Sequence, residues 1–356
     1  MADPLALPDG ACLFHVGLMK TATTSIQTAA SRQRKRLLDH GVRYPGTRFN
    51  HREPVAAFMG KSWGWVPKAP DMKYWDDLMG EIREDHLSRI FLSHEFAAGA
   101  DSETIDRLIA EFDRPLYIVI TVRPYTSVLP SMWQEYVKGG LTVDFDTWLT
   151  RVLNEPPVGA PLSQFHRDHD QARVVKTWAE AIGPERVSVV IIDKNDPGHV
   201  GTAFERMLCL PAGTLSKGTA RQRTVNSSMS YSEIELLRVL NNELKANNVD
   251  SATCRTLVTQ GAVSRLLKTQ RPKPPEDKIA LPPWASERAV RRSEEFVQAI
   301  RESRVHTVGD LASLTATGDV RSSDAAETAG QVSQEAALAL LSGTISASLG
   351  RGPLFK

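Results

Sequence analysis

A loop rich in hydroxyl side chains follows the first apolar segment of the chain. Residues 17–25 read GLMKTATTS and join the apolar run ACLFHVG to a helical pattern at residues 24–40. A strand–loop–helix junction presents backbone N–H groups and the positive end of a helix dipole to an anion. Lys20 adds a mobile positive charge. Hydroxyl groups come from Thr21, Thr23, Thr24 and Ser25. The segment predicts a phosphate cradle.

The same loop has other interpretations. Thr and Ser are favoured N-caps, so the segment could be no more than a helix start. A Walker A loop requires glycine immediately before the lysine, and Met19 occupies that position. An ATP- or GTP-dependent enzyme would also need a magnesium-associated acid. Asp193, after the apolar run VVII, is the candidate, although it also suits a turn at a strand end.

A second anion-binding element follows the apolar run PLYIVITV at residues 115–122. Arg123 stands directly after this run, and Ser131 follows eight residues later at the start of a helical segment. Open α/β sheets bind ligands at the carboxyl ends of their strands. Arg123 and Ser131 could therefore contact the same anion.

Together, the two elements resemble sulfotransferases that use 3′-phosphoadenosine 5′-phosphosulfate (PAPS), a P-loop-like α/β family. In that family a loop of approximate form G-x-x-K-[TS]-G-T-[TS]-[ST] binds the 5′-phosphosulfate, and an Arg-x7-Ser element binds the 3′-phosphate. HGVRYPG at residues 40–46 is similar to bacterial members, and RQRTVNSSMS at residues 221–230 is similar to the segment that closes over the adenosine. Ala22 stands where glycine is usual, and its methyl group would crowd the phosphate if φ were positive.

The resemblance implies a role for each cradle residue. Lys20 would neutralise charge on the leaving phosphate, and Arg123 with Ser131 would hold the 3′-phosphate, with Arg223 a weaker candidate there or at the adenosine. The 5′-phosphate would be held by N–H groups and hydroxyls of Thr21, Ala22, Thr23, Thr24 and Ser25. The expected reaction is in-line sulfuryl transfer from PAPS to a hydroxyl or amine, leaving PAP. A non-catalytic nucleotide-binding scaffold of the same fold is the alternative.

An acceptor hydroxyl needs a base, and three residues are candidates. The run RIFLS ends at His94 and Glu95, at the expected carboxyl edge of the sheet. Relatives place a carboxylate or histidine at the equivalent strand end, which favours Glu95. His51 resembles a pocket-loop histidine of bacterial members and could bind the acceptor or act as the base. An imidazole with a pKa near 6.5 suits proton transfer.

Several other polar and aromatic groups have mainly structural interpretations. Trp63 and Trp65 lie in a Gly/Pro-rich insertion, where aromatic side chains could form a wall for the acceptor or pack in the core. His166 and His169 lack a third convincing metal ligand, so we expect no metal site. The basic run RQRKR at residues 32–36 is typical of a solvated helix face.

Composition excludes several classes of protein. The 356 residues carry 43 Lys and Arg against 42 Asp and Glu, a net charge of +1 that argues against a duplex-DNA binder. Three cysteines are typical of a reducing compartment. The acidic N-terminus does not resemble a signal peptide, and the apolar runs are too short to span a membrane. We therefore expect a cytoplasmic enzyme with a small-molecule, carbohydrate or lipid acceptor, and neither nucleic-acid partners nor integral membrane association.

The elements that would position these residues alternate along the chain. Nearly continuous apolar runs at residues 11–17, 89–93, 115–122 and 187–193 predict strands buried on both faces, and helical patterns separate them. The fold class expected is α/β: a P-loop NTPase-like three-layer fold with a central parallel sheet and a helical C-terminal cap. No strand is predicted after residue 227.

The expected domain division has three parts. Residues 1–10 form an N-terminal extension, and residues 11–314 form one α/β domain whose helical cap covers about 228–314. Residues 315–356 are rich in Ala, Ser, Thr and Gly and form a weakly structured tail, with one short helix at residues 335–342.

Overall fold

A six-stranded sheet forms the centre of the molecule. The computed structural model describes residues 3–154, 160–193, 195–196, 198–223, 229–269, 277–321 and 332–350, without side chains at 160–162 and 220–223. The strands are β1 (Cys12–His15), β2 (Val42–Arg43), β3 (Arg89–Ser93), β4 (Leu116–Val122), β5 (Val187–Ile191) and β6 (His306–Val308). Their order is β2-β3-β1-β4-β5-β6, and every pairing is parallel.

Helices connect these strands and extend the chain beyond them. The first half contains α1 (Thr23–Arg32), α2 (Arg34–Asp39), α3 (Arg52–Phe58), α4 (Lys73–Glu84), α5 (Ser102–Ala110), α6 (Tyr125–Lys138), α7 (Phe145–Asn154) and α8 (Ala160–His169). The second half contains α9 (Gln171–Ile182), α10 (His199–Met207), α11 (Ser216–Arg223), α12 (Tyr231–Ala246), α13 (Ser251–Cys254), α14 (Ser264–Lys268), α15 (Pro283–Glu302) and α16 (Gln334–Ser348). A π-helical segment, Arg255–Val263, lies between α13 and α14.

Alternating strand residues bury the two faces of the sheet in different cores. On β1, Phe14 packs with α3, α4, α5 and α9 on one face, whereas Leu13 packs with α1 and α10 on the other. A strand covered on both faces must be apolar throughout, which explains the continuous runs in the sequence. The expected α/β class, with helices on both sides of a central parallel sheet, is confirmed.

A third core lies beside the sheet and is almost entirely helical. It is built from α6, α7, α12, α14, α15, α16 and the π-helical segment. The helical C-terminal cap is therefore present, and it shares its core with the helices that follow β4.

The end of the chain is more ordered than the composition predicted. Thr126 donates its hydroxyl to the Ala316 carbonyl at 2.8 Å, and Leu281 pairs with Val320 in a parallel bridge. Helix α16 extends beyond the short helix expected and packs against the π-helical segment. The short helix expected at residues 335–342 lies within α16, whereas residues 315–321 and the rest of α16 are more ordered than expected, because the small residues of α16 permit close helix packing. Residues 322–331 and 351–356 lie outside the described residues.

Two strands and one helix break were not predicted. β2 and β6 are only two and three residues long and form the edges of the sheet, so neither produces an apolar run. β6 also contradicts the expectation of no strand after residue 227. The first helical pattern is interrupted at Gln33, which divides it into α1 and α2. Gly41 has φ +73°, as expected of a left-handed helix terminator.

The strand order brings the predicted site segments to one edge. β1 lies between β3 and β4, so the loop after β1 sits where the order of the strands reverses. Glu95 follows β3 and Arg123 follows β4, on either side of that loop. This topological switch point is where open α/β sheets bind ligands, and it is the arrangement expected of a P-loop NTPase-like fold.

Candidate functional site

The loop after β1 forms a turn with two left-handed residues. Lys20 and Ala22 both have φ +66°, and Ala22 is the N-cap of α1. No side chain caps this helix, and its first turn contains no acidic residue. The first N–H groups of a helix lack intrahelical partners, so this end of α1 is suited to an anion.

Gly17 allows the loop to approach α1. Its φ is +45°, and a Cβ at this position would lie 2.5 Å from Thr23 Cγ2. Any side chain there would force the loop away from the helix. The glycine is therefore required by both backbone conformation and space.

Ala22 adopts the conformation in which its methyl group is unfavourable. The left-handed region costs an L-residue about 1–2 kcal/mol, and glycine avoids that cost. Ala22 is thus left-handed rather than helical, which is the conformation in which its methyl group would crowd a phosphate.

The hydroxyl groups of the loop do not all face a ligand. Thr21 is fully buried, and its hydroxyl donates to the Leu18 carbonyl and contacts Thr121 Oγ1 at 2.7 Å. The prediction of a phosphate-binding hydroxyl at Thr21 is therefore corrected, because that group is used inside the protein. Thr23 and Ser25 are also buried, whereas Thr24 is exposed.

Lys20 contacts a carboxylate that the sequence analysis did not identify. Its Nζ lies 2.6 Å from Glu135 Oε1, which also contacts Lys138 Nζ at 2.6 Å. Burial lowers the pKa of Lys20, and the charge of Glu135 counteracts this effect. Burial works to raise the pKa of Glu135, but Lys138 and Lys20 lower it to about 2. The Glu135 carboxylate is therefore ionised at neutral pH.

The arginine and serine of the second element contact each other. Arg123 Nη2 donates to Ser131 Oγ at 2.6 Å, and it also donates to the Ser127 carbonyl. Ser131 and Glu135 lie one turn apart on α6, so this helix brings the Arg123 and Lys20 groups to one region. The positive charge of Arg123 further lowers the pKa of Lys20, as expected of neighbouring cations.

Arg223 is the last residue of α11, and its side chain lies outside the described residues. Most of the segment at residues 221–230 that resembled an adenosine-closing element is likewise outside them. The assignment of Arg223 to the cofactor stays a prediction.

Glu95 stands at the end of β3, with 16% of its side chain exposed. Burial works to raise its pKa, but His94, Gln27 and Arg52 together lower it below the usual value. The carboxylate is therefore partly accessible and can accept a proton in its ionised form, while its lowered pKa makes it a weaker base than a free glutamate.

His94 is less suited to be the base. It is 1% exposed, and its Nδ1 accepts the Phe96 N–H at 3.3 Å, which caps a short 3-10 turn. Burial lowers its pKa to about 4. Its Nε2 lies 4.0 Å from Glu95 Oε2, so it is a neighbour of the carboxylate.

His51 does not have the role predicted for it. It is 2% exposed, and both ring nitrogens are bonded inside the protein. Nδ1 accepts the Ser93 N–H at 3.1 Å, and Nε2 donates to the Pro45 carbonyl at 3.0 Å. Burial lowers its pKa to about 4. His51 connects the loop after β2 to β3, and in this arrangement it neither contacts an acceptor nor accepts a proton.

The two predicted acceptor-wall tryptophans lie in different places. Trp63 packs against Phe96 at 5.8 Å and carries the Arg52 guanidinium 5.7 Å above its ring, so it lies on the Glu95 side. Trp65 packs against the helical core and lies close to Gly140. Of the two tryptophans, Trp63 lies nearer to Glu95, and its role as an acceptor wall stays a prediction.

The remaining candidates form local structure. Asp193 is exposed, and its carboxylate accepts the Asn195 N–H at 2.7 Å in a turn. Asp170 caps α9, and Asp168 pairs with Lys61 at 2.9 Å. Among the described residues, no group of three or more His, Cys, Asp or Glu side chains is arranged to hold a metal ion. In the same part of the chain, no helix is long and apolar enough to cross a membrane.

Comparison with known proteins gives one distant structural similarity. No protein-family model matches the chain, and no curated protein matches its sequence. Among solved structures, a sulfotransferase from Alicyclobacillus acidocaldarius aligns with 67% of this chain and 97% of its own, at 15% identity and a TM-score of 0.43. A similarity this distant carries no functional conclusion, so the function is inferred from the site itself.

Proposed function

We propose that the protein is a sulfotransferase that transfers a sulfuryl group from PAPS to a hydroxyl or amine of an acceptor. The observation that carries the proposal is the placement of Lys20, Arg123 and Ser131 around one loop, with the Glu95 carboxylate at the end of the adjacent strand. Two separate cationic groups suit a ligand with two phosphates, and the carboxylate suits an acceptor proton.

The loop fits the phosphosulfate end of PAPS. An uncapped helix start, two left-handed residues and a lysine are features of phosphate-binding backbone. Arg123 and Ser131 would hold the 3′-phosphate, and Lys20 with the N–H groups of residues 21–25 would hold the 5′-phosphate. When bound, PAPS supplies the activated sulfuryl group.

The protein would contribute positioning and charge. Glu95 would accept the acceptor proton as the new S–O bond forms, and Lys20 would neutralise the negative charge that develops on the phosphate oxygen as the old S–O bond breaks. No nucleophilic side chain is required, because in-line transfer depends mainly on alignment of the reactants. Trp63 would form one wall for the acceptor.

The decisive experiment is a transfer assay with 35S-labelled PAPS, using host extract as the source of acceptor. The wild-type protein should label an extract component, whereas Lys20→Ala should lower turnover by roughly 10²- to 10³-fold. Glu95→Gln should lower the rate of transfer and remove most of its dependence on pH. Lys138→Ala is the matched control, because it removes the other lysine that pairs with Glu135. Transfer that persists in both Lys20→Ala and Glu95→Gln would refute the assignment.

Binding and nucleotide-hydrolysis measurements beside this assay test the two alternatives. A non-catalytic scaffold would bind PAP without labelling any acceptor. An ATP- or GTP-dependent enzyme would hydrolyse its nucleotide only with magnesium and would not bind PAPS.

A further inference from the structure

The Glu95 carboxylate is held by an amide on another element. Gln27, on α1 and 1% exposed, donates from Nε2 to Glu95 Oε2 at 3.3 Å and to Ser93 Oγ at 3.2 Å. Its Oε1 accepts Asn50 Nδ2 at 3.2 Å. Because a carboxylate only accepts hydrogen bonds, the amide nitrogen of Gln27 must face Glu95. The amide thus has one defined orientation.

Ser93 links Gln27 to a buried histidine, His15. Ser93 Oγ has two side-chain partners, Gln27 Nε2 and His15 Nδ1, the latter at 2.9 Å. Ser93 Oγ accepts from Gln27, and of these two partners only His15 Nδ1 can accept the hydroxyl hydrogen of Ser93, so that no buried donor lacks an acceptor. The ring proton of His15 therefore sits on Nε2, which lies 3.0 Å from Thr121 Oγ1. Burial lowers the pKa of His15 to about 3, so its ring is neutral and carries one proton.

The chain of hydrogen bonds continues to the loop after β1. Thr121 receives the His15 proton, so its own hydroxyl hydrogen goes to Thr21 Oγ1 at 2.7 Å. Thr21 donates in turn to the Leu18 carbonyl and accepts the Leu18 N–H at 3.1 Å. Every donor then has an acceptor, as buried polar groups require.

The chain crosses three neighbouring strands. Ser93 ends β3, His15 ends β1 and Thr121 lies near the end of β4. All three side chains are buried, with exposures of 0%. The path between the loop and Glu95 therefore runs through the rigid centre of the sheet, where each hydrogen bond is strengthened by the absence of water.

We propose that His15 and Gln27 are positioning residues, which fix the Glu95 carboxylate relative to the loop after β1 through this directional chain of hydrogen bonds. The inference rests on the proposed function, because it assumes that Glu95 acts on a group delivered by that loop. Neither residue contacts the reacting atoms. Their contribution is to hold the base at a set distance from the transferred group and to keep it ionised.

The first test needs no variant. In the 15N-histidine-labelled full-length protein at neutral pH, His15 should show a pyridine-type nitrogen at Nδ1 and a pyrrole-type nitrogen at Nε2. An Nδ1–H tautomer would reverse the direction of the chain and overturn the proposal. Thr121→Val should allow both tautomers, because Nε2–H loses its acceptor. Thr214→Val, which removes another buried hydroxyl, should still show only the Nε2–H tautomer of His15. An unchanged single tautomer in Thr121→Val would contradict the proposed path.

The second test measures the pKa of Glu95 by 13C NMR, with the resonance assigned by its loss in Glu95→Gln. Gln27→Leu should raise this pKa by about one unit, because a donor to the charged form is lost. Gln134→Leu, at another buried glutamine, is the control and should leave the pKa unchanged. The titratable or charged groups facing Glu95 are His94, His15, Tyr44 and Arg52. A shift no larger than that of the control would refute the positioning role of Gln27.

Failure of this inference can be distinguished from failure of the proposed function. With PAPS as donor and water as the acceptor, the acidic limb of the pH profile for the formation of PAP and sulfate should move to higher pH in Gln27→Leu by the same amount as the pKa of Glu95. If Glu95→Gln retained the full rate, Glu95 would not be the base, yet the NMR results would still decide whether the chain orders its carboxylate. If the acidic limb of the pH profile in Gln27→Leu did not shift with the measured pKa of Glu95, the positioning role of Gln27 in catalysis would be refuted.

Discussion

Lys20 and Lys138 both contact the Glu135 carboxylate. This contact affects how the loop after β1 would bind an anion. Lys20 has to exchange Glu135 for the ligand, or contact both together. In either case the carboxylate repels a phosphate held at the same place.

Glu135→Gln should therefore tighten PAP binding by about threefold to tenfold, an electrostatic effect of roughly 1 kcal/mol. Isothermal titration calorimetry would measure the dissociation constant. Glu235→Gln is the control, because Glu235 pairs with Arg238 on a different helix, with 14% of its side chain exposed against 29% for Glu135. Weaker binding in Glu135→Gln would instead mean that the carboxylate orients Lys20 toward the phosphate.

Ala22 offers a test of the left-handed conformation itself. Ala22→Gly should raise the free energy of unfolding by about 0.5–1 kcal/mol, because the steric cost of the left-handed region exceeds the entropy lost by ordering glycine. Urea unfolding would measure the change. Ala29→Gly, in the interior of α1, should lower the free energy of unfolding by about 1 kcal/mol. Destabilisation in both variants would show that the conformation of Ala22 is not strained.

Site residues could be predicted from the sequence where they occupy a recognisable position, such as the end of a buried strand. Lys20, Arg123 and Glu95 each follow a buried strand, and their placement at one edge follows from the rule for parallel sheets. Glu135 could have been suspected from its one-turn spacing from Ser131. The inward use of the Thr21 hydroxyl and the burial of His51 could not, because both depend on partners distant in the sequence.

Among the helices, the contact between α16 and the π-helical segment depends on two facing glycines. A Cβ on Gly343 would lie 2.5 Å from the Gly261 carbonyl oxygen, and a Cβ on Gly261 would lie 2.8 Å from the Gly343 oxygen. Backbone atoms cannot move aside as a flexible side chain can. The two elements can pack this closely only while both residues lack a side chain.

Gly343→Ala should therefore destabilise the protein by about 1–3 kcal/mol, despite the better helix propensity of alanine. Gly80→Ala is the matched control: Gly80 lies in α4, and a Cβ there meets nothing within 4 Å. It should be neutral or stabilising by up to about 1 kcal/mol. Chemical denaturation of both variants would measure the difference, and equal effects would refute the close packing of α16.

Strands and helices with a long sequence pattern could be predicted, whereas those with a short pattern could not. The strands β1, β3, β4 and β5 are apolar on both faces and produce recognisable runs. β2 and β6 each pair with one neighbouring strand only, and this pairing holds them in the sheet without a long apolar run. Helix α16 was predicted only over residues 335–342, and its remaining part, rich in Ser, Thr and Gly, is held by contact with a neighbouring helix.

On the scale of the whole molecule, buried neutral histidines make stability depend on pH. Burial lowers the pKa of His15 to about 3, and of His51, His94 and His169 to about 4. The unfolded chain binds protons at these sites below about pH 6.5, whereas the folded protein does not until near pH 4. Their contribution to stability is thus present above pH 6.5 and is lost as the pH falls toward 4.

The free energy of unfolding should fall by about 2 kcal/mol per buried histidine between pH 7 and pH 5. Urea unfolding at both values would measure the loss. His169→Leu should reduce it by about 2 kcal/mol, because an imidazole that is 1% exposed is removed. Gln134→Leu, which removes a buried side chain that does not titrate, should leave the pH dependence unchanged. An equal loss in wild type and His169→Leu would contradict this explanation.

The position of β6 has a consequence for the order in which the protein assembles on the ribosome. β6 pairs with β5 through Ser188 and His306, and the helices of the cap lie between them in the sequence. The outer edge of β5 therefore stays open while the cap is being synthesised. Closing that edge requires a contact between distant parts of the chain, which is a slow step in folding. A ribosome stalled before residue 306 would carry a nascent chain with an unpaired strand edge. Such an edge can be bound by a chaperone or can pair with another chain and aggregate.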